Sequence, residues 1–192
     1  TEYVNGLFDM ESNDIRGLNY TYNADGYIWK YLGVDKTTAR AASENDQNYI
    51  IYRLADVLLM KAEALIMQGH NEDAADLIDR TRERAGLGET TLSDDRMVML
   101  ETLLVERQKE FFGEGKNWFD LLRIGLRSEQ LNDTQYKTLF VEQALKAVGA
   151  SRQSLGRATL ANSGSWYLPY SEDELSKNPL LEQSDYYQSI SN

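Results

Sequence analysis

The chain contains no cysteine, a single histidine and only two prolines among its 192 residues. Without cysteine there is no disulfide framework, no thiolate nucleophile and no thiol-bound zinc. The one histidine, His70, stands between Gly69 and Asn71 in a turn setting, which disfavours both a Ser-His-Asp site and a multi-histidine metal site. Nor is there an apolar run of about 20 residues, the length a membrane-spanning helix needs. Positive charge is also scarce, with 20 Lys and Arg against 31 Asp and Glu and a net charge of -11. That balance argues against nucleic acid or an anionic membrane surface as the partner. The opening TEYVNG carries neither a start Met nor a basic-then-apolar leader, so any targeting segment is expected upstream and the chain reads as a mature fragment of a longer protein.

The strongest signal that is present runs from Tyr49 to Arg127. Leu54, Ala55, Leu58, Leu59, Ala62, Leu65 and Ile66 recur at three- and four-residue steps, the spacing of one helical face. Val57 and Met60 widen the apolar arc, so this helix is expected to be covered on more than one side. Gly69 suits a helix end and Asn71 an N-cap, with Glu72 and Asp73 in the following first turn, where the helix dipole favours carboxylates. Ala74, Leu77, Ile78, Thr81 and Ala85 mark the second helix, which ends at Gly86. Ala62 and Ala74, twelve apart across the turn, are small enough for close backbone approach, a tetratricopeptide-like spacing. The fold class expected is mainly α, with tetratricopeptide-like helix pairs, irregular loops and a short β-hairpin.

Three regions of one domain follow. Residues 1–48 read as loop and short strand: Tyr20 to Tyr22 and Tyr27 to Tyr31 flank the turn Asn23-Ala24-Asp25-Gly26, predicting a hairpin over about 18–32. Residues 49–127 are the helical core, including a helix from an N-cap at Ser93 to about Phe112 and a short one after Asn117. Residues 128–192 add a helix over about 133–148, a loop over 150–165 and a tail. In that tail Ser171 and Glu174 fit a capping box for one helical turn.

For chemistry, the rings stand out: 12 Tyr and 3 Trp against 5 Phe. Tyr and Trp can stack on the apolar face of a sugar and hydrogen-bond its hydroxyl rim. Tyr20, Tyr22, Asn23, Asp25, Tyr27 and Trp29 combine such rings with amide and carboxylate groups on a predicted loop, where recognition tends to sit, and are the ligand-binding candidates. The alternative is that these rings pack a small sheet onto the helices. Asp9, Glu11, Asn13 and Asp14 could offer oxygens to Ca²⁺ but lack the glycine and spacing of an EF-hand loop, so a solvated acidic stretch is favoured and no metal site is assigned. Glu106 and Glu110 share a helix face and could be called an acid–base pair; the i,i+3 and i,i+4 ion pairs offered by Arg107 and Lys109 are the plainer reading. No cofactor is implied.

Four motifs, in order, carry a family resemblance. They are Asp14-Ile15-Arg16 with Trp29-Lys30-Tyr31; Tyr52-Arg53-Leu54-Ala55-Asp56-Val57-Leu58-Leu59-Met60 with Ala62-Glu63-Ala64; Glu106-Arg107 through Gly113-Glu114-Gly115 to Trp118-Phe119-Asp120-Leu121 and Arg123; and Leu168-Pro169, Glu174, Asn178-Pro179, Leu181 and Gln183. The set resembles the C-terminal part of the SusD/RagB outer-membrane nutrient-binding proteins of Bacteroidetes. The tail departs from the family at Tyr170, where a second proline is usual, and at Gln183-Ser184-Asp185. The resemblance implies fold-holding roles for Arg53, Asp56, Glu106, Arg107, Trp118, Asp120 and Arg123, as a carboxylate–guanidinium cluster with an indole against it. It also implies non-catalytic binding of glycans or other nutrients at the bacterial cell surface. The partner would be a SusC-like TonB-dependent transporter, with attachment to the outer membrane through an N-terminal lipid anchor outside this chain. Two other classes stay open: a helical-repeat scaffold for a peptide, and a carboxylate-pair glycoside hydrolase.

Overall fold

The structure is a computed structural model that describes residues 2–9, 13–18, 20–44 and 47–190. Two compact units divide it, residues 1–123 and 124–192, with the division inside one helix. Helices dominate both.

In the first unit, α1 (Glu2–Asp9) precedes an irregular segment, a single helical turn α2 (Trp29–Leu32) and a 3-10 turn (Ala42–Glu44). The helical hairpin expected from the apolar period follows as α3 (Leu54–Gln68) and α4 (Asn71–Arg84), packed on one another. Gly69 takes a left-handed φ of 83°, and the amides of Gly69 and His70 return to the carbonyls of Ile66 and Leu65. That geometry satisfies orphan carbonyls at the helix end and lets the chain reverse in two residues. Ala62, Ile66, Ala74 and Ile78 are fully buried. Asn71 does not cap α4: it lies inside the helix and its Nδ2 donates to the Ser93 carbonyl at 2.8 Å. α5 (Arg96–Glu110) begins two residues later than Ser93 suggested, because the Asp95 carboxylate accepts from the amides of Met97 and Val98. A carboxylate beside the positive helix end is the better cap of the two. α5 buries Met99, Leu100, Leu103 and Leu104.

α3 packs on both α4 and α5, yet the residues that widen its apolar arc stay open, with Leu54, Val57 and Met60 all exposed.

The expected hairpin shrinks to its turn. Asn23 N–H donates to the Tyr27 carbonyl at 3.1 Å and Tyr22 bridges Ile28, but the described residues there hold only isolated bridges. Trp29–Leu32 coils instead of extending. The Gly33 amide closes the turn onto the Trp29 carbonyl at 2.7 Å, and the indole lies so close to Gly33 that a Cβ there would sit 2.4 Å from Nε1. The indole N–H then donates to the Asp35 carbonyl at 2.7 Å.

α6 (Asn117–Leu131) spans the division. The second unit continues through α7 (Thr134–Leu145), α8 (Ala150–Leu160), a 3-10 turn (Ser163–Trp166), α9 (Glu172–Lys177) and α10 (Asp185–Ile190). α7 begins where expected, and Asp133 caps it by accepting from the Gln135 amide at 3.0 Å. Residues 150–160 are helical rather than loop. Gly156, which reads as a breaker, is where α8 meets α7: a Cβ there would lie 2.6 Å from Leu145 Cδ2. Ser171 caps α9 through the Glu174 amide, and the tail returns, with the Tyr187 hydroxyl donating to the Tyr167 carbonyl at 2.7 Å.

Candidate functional site

The last turn of α5 carries Glu106, Arg107, Lys109 and Glu110, all 3% exposed or less. Buried ionised groups are tolerated only when paired and hydrogen-bonded. Their partners come from four distant segments. Arg16 donates from Nη1 to Glu106 at 2.7 Å and to Glu110 at 3.0 Å, and from Nη2 to Asp14 at 2.8 Å. Arg53 and Arg84 also donate to Glu110. Glu114 is reached by Arg53 Nη2 and by Lys30 Nζ, each at 2.8 Å. The Thr81 hydroxyl completes Glu106 at 3.0 Å.

A second, adjoining chain of pairs runs through Arg107. Its Nη2 donates to Asp56 at 2.9 Å and its Nε to Asp120 at 2.8 Å. Arg123 then joins Asp120 at 3.0 Å to Glu63 at 2.7 Å, and Lys116 donates to Asp56. The rings of this region serve the cations: Arg53 and Arg107 both lie 4.7 Å from the centre of Phe111. Trp118 stands half-open beside them, lining a hollow of about 550 Å³ with Tyr3, Arg107, Phe111 and Lys116. The motif residues dispersed along the chain therefore meet in one place.

Burial works against charge on Asp14, Asp56 and Glu110, yet their cationic partners prevail and hold all three carboxyls below their ordinary range. Arg16 is held protonated more firmly for the matching reason: burial opposes its charge, and the hydrogen bonds it donates to Asp14 and Glu106 outweigh it. A carboxyl kept ionised in this way is the opposite of a general acid, which needs a raised pKa. Glu110 thus acts as an anion that ties guanidiniums together, while Glu106 accepts from Arg16 and Thr81 beside it.

A pH dependence follows. These carboxyls bind protons more weakly folded than unfolded, so their stabilisation is complete above the unfolded values and lost as pH falls through the folded ones. Thermal melts should hold steady from neutrality to about pH 5 and drop steeply below about pH 4. A melting temperature unchanged at about pH 3 would contradict the pairing.

The six ring-and-amide candidates do not stay together. Tyr22 is core: 8% exposed, its ring packs on Phe8 and Phe112 and its hydroxyl donates to Asn5 at 3.1 Å. Tyr20 is exposed on a separate hollow of about 370 Å³ with Ile15, Arg16 and Arg84, and Lys36 Nζ lies 4.6 Å from its ring centre. The other four, Asn23, Asp25, Tyr27 and Trp29, line one open hollow of about 670 Å³. Within it Asn23 Oδ1 accepts from the Tyr27 amide at 2.9 Å, which fixes the turn and presents the Tyr27 ring, 59% exposed. Trp29, mostly buried, forms a wall.

Thr37, Ala39 and Arg40 complete this hollow and were not foreseen. Asp35 brings them there: its Oδ1 accepts from the amides of Thr37 and Thr38, both at 2.8 Å, and the turn returns Arg40 N–H to the Leu32 carbonyl at 2.8 Å. Asp35 followed by two threonines was the available signal, since Asp side chains close such turns. His70 is exposed at the start of α4. Of the calcium candidates, Glu11 and the Asp9 side chain lie outside the described residues, and Asp14 is engaged by Arg16. Among the described residues no cluster of three or more metal-ligating side chains occurs.

The comparisons with known proteins point to one family. SusD-like protein P25 of Formosa agariphila is 29% identical over 171 residues, 88% of this chain and 28% of its own length. SusD-like protein P38 of the same organism is 37% identical over 89 residues, 42% of this chain and 18% of the relative. A SusD superfamily protein from Bacteroides fragilis superposes with a TM-score of 0.53 at 28% identity, over 71% of this chain and 28% of that one. The chain thus spans less than a third of the length of each. The family model described as SusD family matches residues 4–187. On that match, and on motif residues that the fold gathers into one buried ion network, the chain belongs to the SusD family.

Proposed function

We propose that this protein is a non-catalytic receptor for glycans or related nutrients at the bacterial cell surface, and that it passes its ligand to a SusC-like TonB-dependent transporter in the outer membrane. Membership of the SusD family supports the role. The observation that carries it to particular residues is the open hollow lined by Asn23, Asp25, Tyr27 and Trp29. An exposed phenol ring beside amide, carboxylate and guanidinium groups suits a saccharide, whose C–H face stacks while its hydroxyls exchange hydrogen bonds. Attachment to the outer membrane through a lipid anchor, which the family resemblance implies, is part of the same reading.

Tyr27→Ala should weaken retention on the preferred polysaccharide at least tenfold, about 1.4 kcal/mol, without altering circular dichroism. Tyr22→Ala is an unsuitable probe, because that ring holds α1 in place. The chain is passed over a polysaccharide panel and scored for retention and for released reducing sugar. Retention without release supports the proposal; release speaks for a hydrolase, and capture of peptide segments instead of sugars for a helical scaffold. Undiminished retention by Tyr27→Ala would remove this hollow from the binding surface.

A further inference from the structure

Tyr20 does not join the hollow of Tyr27 and Trp29. It lines a second one of about 370 Å³, together with Ile15 and the side chains of Arg16, Arg53 and Arg84. That volume lies near the small end of ligand pockets, about 300–1,000 Å³, and suits a single sugar unit. Charge around it is unevenly shared. Asp14, Glu106, Glu110 and Glu114 are four carboxylates, and four cations, Arg16, Lys30, Arg53 and Lys109, answer them. The set balances without Arg84. Arg82 is divided between Glu106 and Asp79. Arg84 therefore brings a further positive charge to the surface, where it is 62% exposed. Among the described residues only its Nη2 has a partner, Glu110. Lys36 brings another, its Nζ 4.6 Å from the centre of the Tyr20 ring. In a chain of net charge -11, a hollow with cations to spare is the exception.

We propose that this second hollow is a subsite for a sugar that carries one anionic group, a carboxylate or a sulfate ester, held on the open edge of Arg84 while the C–H face of the ring lies on Tyr20. The proposal rests on the reading of the protein as a glycan receptor and extends it to acidic chains. A guanidinium presents a fork of N–H donors that matches two oxygens of one anion, and the charge strengthens both hydrogen bonds. Glu110 and Glu114 do not repel such a group, because their own cations already neutralise them. Tyr20 and Ile15 supply the apolar wall that the sugar face needs, and both are exposed. A neutral sugar is the poorer fit, since its hydroxyl rim offers Arg84 no countercharge.

Trigalacturonic acid, its carboxyl-reduced form and a sulfated galactose trisaccharide are titrated calorimetrically into the chain and into the Arg84→Gln, Tyr20→Ala and Tyr27→Ala variants. At least one of the two acids should bind about tenfold more tightly than the reduced sugar, the worth of a hydrogen bond to a charged group. Which acid does so names the anionic group. Arg84→Gln should erase the preference and Tyr20→Ala should weaken binding of the acid, with circular dichroism unchanged because both side chains are exposed. Tyr27→Ala should leave the preference intact. Equal binding of the acids and the reduced sugar overturns the proposal, as does a preference that survives Arg84→Gln. If neutral polysaccharide is still retained through Tyr27 in that case, only this subsite falls. If no saccharide binds at all, the receptor reading falls with it.

Discussion

Glu110→Gln should lower the unfolding free energy by about 3 kcal/mol at neutral pH, the low end of the cost of removing one partner from a buried ion pair. The substitution keeps the volume and removes only charge and acceptor strength. Wild-type Glu110 is 3% exposed and receives Arg16, Arg53 and Arg84 together. Arg84 is 62% exposed, so water screens that contact and it counts for little. The Arg16 and Arg53 side chains are 12% and 25% exposed and would face an amide that offers half the acceptors and no countercharge. Urea unfolding followed by circular dichroism measures the loss. A second reading separates charge from packing: the folded Glu110 carboxyl titrates below its ordinary range, so the gap should begin to narrow below about pH 4 and close as pH falls through the folded value. Equal urea midpoints at neutrality, or a gap that survives in acid, would sink the claim.

How much of this could be read beforehand differs between elements for physical reasons. The α3–α4 hairpin was legible because apolar residues at helical spacing and a glycine in the left-handed region are local signals. The start of α7 near Asp133 was legible for the same reason. α8 was not: none of its residues is buried, so no hydrophobic period marks it, and Gly156 is needed for close approach to Leu145 rather than for a turn. The charges that end α5 suggested pairs within the helix. Their partners are instead Arg16, Lys30, Arg53 and Arg84, up to 94 residues away, and nothing in local spacing announces contacts of that range. Only the order of the family motifs pointed to Arg16, Lys30 and Arg53 together, and Arg84 lies in none of them. Tyr22 and Tyr27 show the same limit in the candidate site. Alternation sorts rings between two faces of a strand, but Trp29–Leu32 coils, so which ring faces water was settled by the turn at Asn23 and the packing of Phe8.

Phe140→Ala is expected to be the costliest single change in the C-terminal unit, at about 4 kcal/mol, within the range for deleting a buried phenylalanine ring. That cost depends on how far the neighbours can relax, and here they are held. Phe140 is fully buried, with its ring centre 4.4 Å from that of Trp166. The indole is fixed by donating to the Leu160 carbonyl at 2.9 Å. On the other side the α6 backbone comes down at Gly125, where a Cβ would meet Phe140 at 2.9 Å and Trp166 at 3.0 Å. A glycine has no side chain to swing into the space, and a hydrogen-bonded indole cannot cross it without losing its acceptor. The void therefore stays, together with the lost contacts of its lining. Trp166 should become more accessible, shifting tryptophan emission to the red in the native state as well as lowering the urea midpoint. A loss below about 1 kcal/mol with unshifted emission would mean that the site collapses around the missing ring. In that case α6, and not the two rings, would be the element that positions this unit's core.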